Sequence, residues 1–152
     1  MDESSQEKIQ AADNQSLERS GRAFIAVWCR AQEQVAGHVP PSQLRALEIV
    51  AAHPGISMRE LADDLQAMPS SASRLCDRLE AAGLLARVPV RTDRRQVSLR
   101  LTPAGDRLIR DLNRQRRRDL DAVLERMTPQ ERERLGQGLA AFAERARPPD
   151  PC

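Results

Sequence analysis

The stretch "SMRELADDLQAMPSSASRLCDRLEAAGLLARVPVRTDRRQVSLRLTPAG", Ser57 to Gly105, carries two short helix patterns, a change of apolar period and the start of a further helix. It opens on Ser57 with Glu60 three residues later, the reciprocal cap that satisfies two free N–H groups at a helix start. Met58, Leu61, Ala62 and Leu65 then share one side of about two helical turns. After a brief connection a second helix follows, with Pro69 near its first turn and Gly83 as its terminator. Ala72, Leu75, Cys76 and Leu79 make its buried stripe. At about 100° per residue, Ser70 and Arg74 point away from that stripe, flanked by Ser71, Ser73, Asp77 and Arg78. Beyond Gly83 the apolar period shortens, so "LLARVPV" and "QVSLRL" read as two strands that "RTDRR" joins into a hairpin. Val97, Leu99 and Leu101 alternate there with Ser98 and Arg100, and Thr102 with Pro103 begins a long helix.

Two short helices with a tight connection, the second presenting a small, polar and cationic face, are what a helix-turn-helix needs to enter a major groove. The hairpin adds charge. Residues 84 to 101 carry Arg87, Arg91, Arg94, Arg95 and Arg100 against Asp93 alone, a local charge of +4. Beside a helix-turn-helix such a hairpin is a wing, able to follow phosphates and to place an arginine in the minor groove. The alternative for the arginines is a solvated charge run, and for Arg74 an ion pair with Asp77 within the same helix. For Arg87, Arg91 and Arg100 both readings stand.

Working outward, Phe24, Val27, Trp28, Ala31 and Val35 recur at helical spacing and predict a helix from about Leu17 to Ala36. Ser42 is the expected cap of a second helix carrying Leu44, Leu47 and Ala51. At the other end, Thr128 and Pro129 start a helix whose stripe is Leu135, Leu139, Phe142 and Ala146. The polar residues 1–13 and the proline-rich 148–152 read as flexible ends. The expected class is mainly α with a small β-hairpin wing: a winged helix-turn-helix lobe over 41–101, and a helical region over 14–40 and 102–147. All three aromatics, Phe24, Trp28 and Phe142, lie in that helical region, whose stripes need a partner surface.

Composition limits the function classes. A net charge of +2 in 152 residues makes any anion binding local, and Lys8 is the sole lysine, so the cation in use is arginine. No apolar run nears the ~18 residues of a membrane span, so the expectation is a cytoplasmic chain without a membrane partner. Cys29, Cys76 and Cys152 show no Cys-x-x-Cys, and His38 and His53 have no companions at ligand spacing, so no metal and no cofactor is expected. No nucleophile elbow, paired carboxylates or phosphate loop points to an enzyme.

The quoted stretch resembles the MarR family of winged helix-turn-helix transcriptional regulators, most specifically in "DRR" followed by "LRLTPAG", and the resemblance spans about residues 17 to 146. It implies a homodimer that binds double-stranded DNA at a palindromic operator, and the expected role is that of a repressor, with an activator as the alternative. Ser70, Ser71, Ser73, Arg74 and Arg78 fall at the positions of the recognition helix. Arg94 and Arg95 fall on the wing, with Asp93 orienting its arginines. Family members bind a small amphipathic or phenolic effector in a cleft beside the dimer helices, which makes Trp28 the candidate lining residue, with a core role as the alternative. Some relatives sense oxidants with a first-helix cysteine, the role Cys29 would take, but they activate it with tyrosines, which this chain lacks. The competing functions are a cysteine-based redox-sensing regulator and a winged-helix protein-interaction module that binds no specific DNA.

Overall fold

The computed structural model describes residues 3–89 and 97–146, with side chains from residue 14 onward. Its elements run α1 (Glu3–Ala36), α2 (Pro41–Ala52), α3 (Met58–Asp64), α4 (Pro69–Ala81), β1 (Leu85–Pro89), β2 (Val97–Leu101), α5 (Pro103–Leu124) and α6 (Pro129–Ala146). This is the expected order and the expected class.

Two boundaries differ from expectation. Helix α1 begins at Glu3 rather than near Leu17, so the backbone of residues 3–13 is helical where composition suggested a flexible end. The segment contains neither glycine nor proline, and its Glu, Gln, Lys and Ala residues favour helix even though no apolar stripe marks it. Helix α2 starts at Pro41, with Pro40 as its N-cap and no side-chain cap, so Ser42 lies inside the first turn. A proline at the first helical position forfeits no hydrogen bond, because that N–H has no partner in the helix anyway.

The helix-turn-helix is built from local hydrogen bonds. Ser57 Oγ accepts from the Glu60 N–H at 3.2 Å, and Glu60 Oε2 accepts from the Ser57 N–H at 2.8 Å, completing the capping box. Helix α3 ends in a pair of bonds, Gln66 N–H to Asp63 O and Ala67 N–H to Ala62 O, with Gln66 at φ 52°. Helix α4 ends in the same way: Gly83, at φ 69°, donates to Glu80 O, and Leu84 donates to Leu79 O. The second stop is legible from its glycine. The first is not, because glutamine occupies the left-handed position that glycine usually takes.

Strands β1 and β2 pair antiparallel with Leu85 opposite Leu101 and Arg87 opposite Leu99. A third short edge joins them, where the Gly55 N–H donates to Leu99 O and the Leu99 N–H donates to Ile56 O. The segment before α3 thereby ties the hairpin into the lobe. Leu99 is buried on β2, while Val97 is exposed and Leu101 half-buried, so the expected alternation places one side chain fully inside.

The core gathers Leu44, Leu47 and Val50 of α2 with Leu61, Cys76, Leu79, Leu85, Leu99 and Leu112. Helix α2 lies at its centre, touching α3, α4, α5 and β2, and α1 packs along α5. Helix α6 buries none of its residues in the single chain.

The hairpin meets α5 at a tight joint. Thr102 caps α5 through Oγ1, which accepts from the Gly105 N–H at 3.1 Å and donates to Gly83 O at 2.6 Å. A Cβ on Gly105 would stand 2.0 Å from the Leu84 carbonyl oxygen, a backbone atom that has no rotamer to change. Gly83 has open space around it, so there only the positive φ matters. Gly83→Ala should therefore cost about 1 kcal/mol and Gly105→Ala more, about 1–3 kcal/mol. Urea denaturation followed by circular dichroism ranks the two; equal losses would contradict the steric account.

Both capping glutamates, Glu60 and Glu131, have carboxyl pKa values below the ordinary range, each chiefly because a backbone N–H, of Ser57 and Thr128 respectively, donates to it. A depressed folded-state pKa contributes stability above the unfolded value and loses it as the pH falls through the folded one. Glu60→Gln with Glu131→Gln should flatten the acid side of the stability–pH curve while leaving its neutral-to-alkaline shape intact. An unchanged acid slope would remove the caps from that role.

Candidate nucleic-acid interface

The free face of α4 is small and polar. Ser70, Ser71, Arg74 and Arg78 are exposed, Leu75 is half-buried, and Ala72, Cys76 and Leu79 point into the core. Among the described residues neither Arg74 nor Arg78 enters an ion pair. Asp77, the partner expected for Arg74 if that arginine were only a wet-face residue, is taken by Arg87.

Ser73 is partly buried on the opposite flank of the helix, where its carbonyl oxygen lies 3.4 Å from Arg87 Nη2. Beside the free face, Ser42 and Gln43 of α2 border the same surface depression as Ser71, Arg74 and Arg78. The start of α2 therefore adjoins the face of α4, a juxtaposition that residue spacing could not reveal.

Of the five hairpin arginines, Arg87 and Arg100 are described, and they differ. Arg100 is exposed on β2, its guanidinium near Gly55. Arg87 turns back onto α4: Nη2 donates to Asp77 Oδ1 at 2.8 Å, Nη1 pairs with Glu80 Oε2, and its backbone N–H donates to Glu80 Oε1 at 3.1 Å. Burial works against its charge, but the Asp77 hydrogen bond and the charges of Glu80 and Asp77 outweigh that and raise its pKa further. Asp93, Arg94 and Arg95, with Arg91, lie outside the described residues.

The densest cationic run, Arg114 to Arg118, divides in two. Arg114 pairs with Asp111 on the surface, and Arg117 and Arg118 are exposed. Arg116 is 6 % exposed, paired with Glu48 of α2 and stacked over the Trp28 ring at 4.3 Å. Phe24 stacks on Trp28 in turn, with centroids 6.5 Å apart. One face of the candidate effector residue is thus covered by a guanidinium that joins α1, α2 and α5. Nothing in the apolar pattern of α5 marked Arg116 as different from its neighbours.

The cysteines separate likewise. Cys76 is fully buried, and desolvation raises its thiol pKa against the opposing charge of Arg87, which makes it an unreactive core residue. Cys29 is partly buried on α1. No helix among the described residues is long and apolar enough to cross a membrane.

Known proteins share this arrangement. Residues 39–96 match the model of the MarR family. The chain is 37 % identical over 68 residues to the HTH-type transcriptional repressor MdtR of Bacillus subtilis, an alignment covering 45 % of this chain and 44 % of that protein; the chain thus matches less than half the length of this curated relative. Among solved structures, RV1404 from Mycobacterium tuberculosis aligns with a TM-score of 0.84 at 32 % identity, covering 89 % of this chain and 92 % of that one. The transcriptional repressor CouR, bound to a 23-mer DNA duplex, aligns with a TM-score of 0.62 at 26 % identity over 84 % of this chain and 89 % of CouR. The family match covers the helix-turn-helix and most of the hairpin, and the likeness to RV1404 extends it over nearly the whole fold, so the chain belongs to the MarR family.

Proposed function

We propose that the protein is a homodimeric, sequence-specific DNA-binding repressor of transcription that reads a palindromic operator. The observation that carries this reading is the free face of α4, where Ser70, Ser71, Arg74 and Arg78 stand exposed beside a hairpin whose sequence is strongly cationic. Small hydroxyls let a helix approach base edges, and unpaired guanidiniums supply contacts to guanine or phosphate. CouR, of similar fold, is bound to duplex DNA, and MdtR is a repressor. A protein-docking face would not need to stay small and polar along a whole helix.

In this reading Arg94 and Arg95 of the wing neutralise phosphates, one of them from the minor groove, with Asp93 holding them in place. Arg94→Ala with Arg95→Ala should weaken operator binding and shallow its salt dependence by up to about one counterion per lost phosphate contact. Arg74→Ala should cost about 1–3 kcal/mol at one operator position. Mobility-shift titrations at several salt concentrations decide it: unchanged affinity and slope in the double variant would take the wing out of the interface.

The dimer accounts for the apolar side chains that the single chain leaves uncovered. Leu17 and Ile25 of α1 are 69 % and 59 % exposed, and Phe142 of α6 is 71 % exposed with Leu139 near it in sequence. Terminal helices packed on their twofold mates would cover them and set two α4 helices about one turn of DNA, roughly 34 Å, apart. Phe142→Glu with Leu139→Glu should shift the protein from dimer to monomer in sedimentation equilibrium and abolish operator binding at the same concentrations. A variant that remains dimeric would place the interface elsewhere.

A small amphipathic effector fits the same scheme through the Trp28–Arg116–Glu48 joint, which connects the helices of the dimer region to α2 of the reading lobe. A ligand that draws Arg116 away from Glu48 would alter how the lobe sits on α5, and with it the spacing of the two α4 helices.

A further inference from the structure

Of the two described hairpin arginines, Arg100 is exposed while Arg87 turns inward. Its guanidinium reaches the Ser73 carbonyl, the Asp77 carboxylate and the Glu80 carboxylate, and its main-chain N–H takes the second oxygen of Glu80. Residues 73, 77 and 80 form one stripe along α4, on the opposite flank from Ser71 and Arg78. One side chain of β1 thereby grips more than one turn of the helix that presents Ser70 and Arg74. With both terminal nitrogens occupied by the protein, Arg87 is withdrawn from the set of arginines that could neutralise phosphate.

We propose that Arg87 is a positioning residue of the DNA-reading surface. It sets the angle between the wing and α4, so that base contacts from the helix and groove contacts from the hairpin register on one half-site, and it neutralises two carboxylates on the edge of that surface. The hairpin is also held by the Gly55–Ile56 edge on β2, by the Thr102 joint at its base and by Leu85 and Leu99 in the core. Among the described residues, the side-chain hydrogen bonds from the hairpin to the flank of α4 all come from Arg87. The grip suits arginine rather than lysine, because the guanidinium meets Glu80 with Nη1 and Asp77 and Ser73 with Nη2, whereas an ammonium would have to bring all three acceptors to one nitrogen.

The inference rests on the DNA-binding reading, and its test separates the two. In the full chain Arg87→Lys keeps the charge and removes the fork. The expected result is a loss of at least about tenfold in affinity for the operator, with binding to random duplex and the salt slope both unchanged, and faster amide exchange confined to β1 and β2. Glu80→Gln, which keeps shape and removes one partner, should shift discrimination and exchange in the same direction, and combining it with Arg87→Lys should add less than the sum. Operator discrimination and hairpin exchange that stay at wild-type level in both variants overturn the proposal. A wild-type-like Arg87→Lys whose Arg87→Met counterpart loses salt slope also overturns it, by making Arg87 an ordinary phosphate contact. If the wild-type protein enriches no palindrome, the DNA reading fails on that result, and the exchange measurement by itself still confirms or removes the tether.

Discussion

The contact between the Leu84 carbonyl and the first turn of α5 holds the architecture together. That oxygen accepts the Thr102 N–H at 3.1 Å and lies where any side chain at position 105 would have to go. Gly83, which ends α4 in the left-handed conformation, gives its carbonyl to the Thr102 hydroxyl. One short joint therefore ends the helix with the free polar face, starts the hairpin, receives its return strand and launches α5 toward α1. The Leu-Thr-x-x-Gly pattern at Leu101 to Gly105 follows from this geometry: threonine supplies a hydroxyl that both donates and accepts, and glycine supplies the absence of a Cβ.

Arginine does three different jobs in this chain. Arg74 and Arg78 are exposed and enter no ion pair among the described residues, Arg87 is spent on two carboxylates of the neighbouring helix, and Arg116 is buried between an indole and Glu48. The distinction is one of surroundings. A guanidinium keeps its charge in all three, so what differs is whether the protein has already supplied its counter-charge. Among the described residues, buried Arg116 Nε and, one turn on, Asp119 Oδ2 have no hydrogen-bond partner.

Much of this was legible in residue patterns, for reasons that are local. The capping box at Ser57 and Glu60, the glycine stop at Gly83, the switch from helical to alternating period and the threonine cap at 102 each depend on residues within four positions of one another. The polar face of α4 follows from helical geometry once its core stripe is known. Where local signals were missing, the reading fell short. Helix α2 is capped at Pro40 rather than at Ser42, the helix ahead of Leu17 has no apolar stripe, and the Gly55–Ser57 edge is too short to have a period.

The order of elements, the family and the polar face of α4 follow from neighbouring residues, because caps, turns and periodicity act over a few positions and need no distant partner. Which of the described arginines are engaged by the protein itself depends on packing between distant segments. Arg87 meets Asp77 and Glu80 across a chain reversal, and Arg116 of α5 meets Glu48 of α2, so their partners are chosen by packing rather than by spacing. The charge on each was readable from the first; whether it is still unspent depends on contacts between segments that only the folded chain brings together.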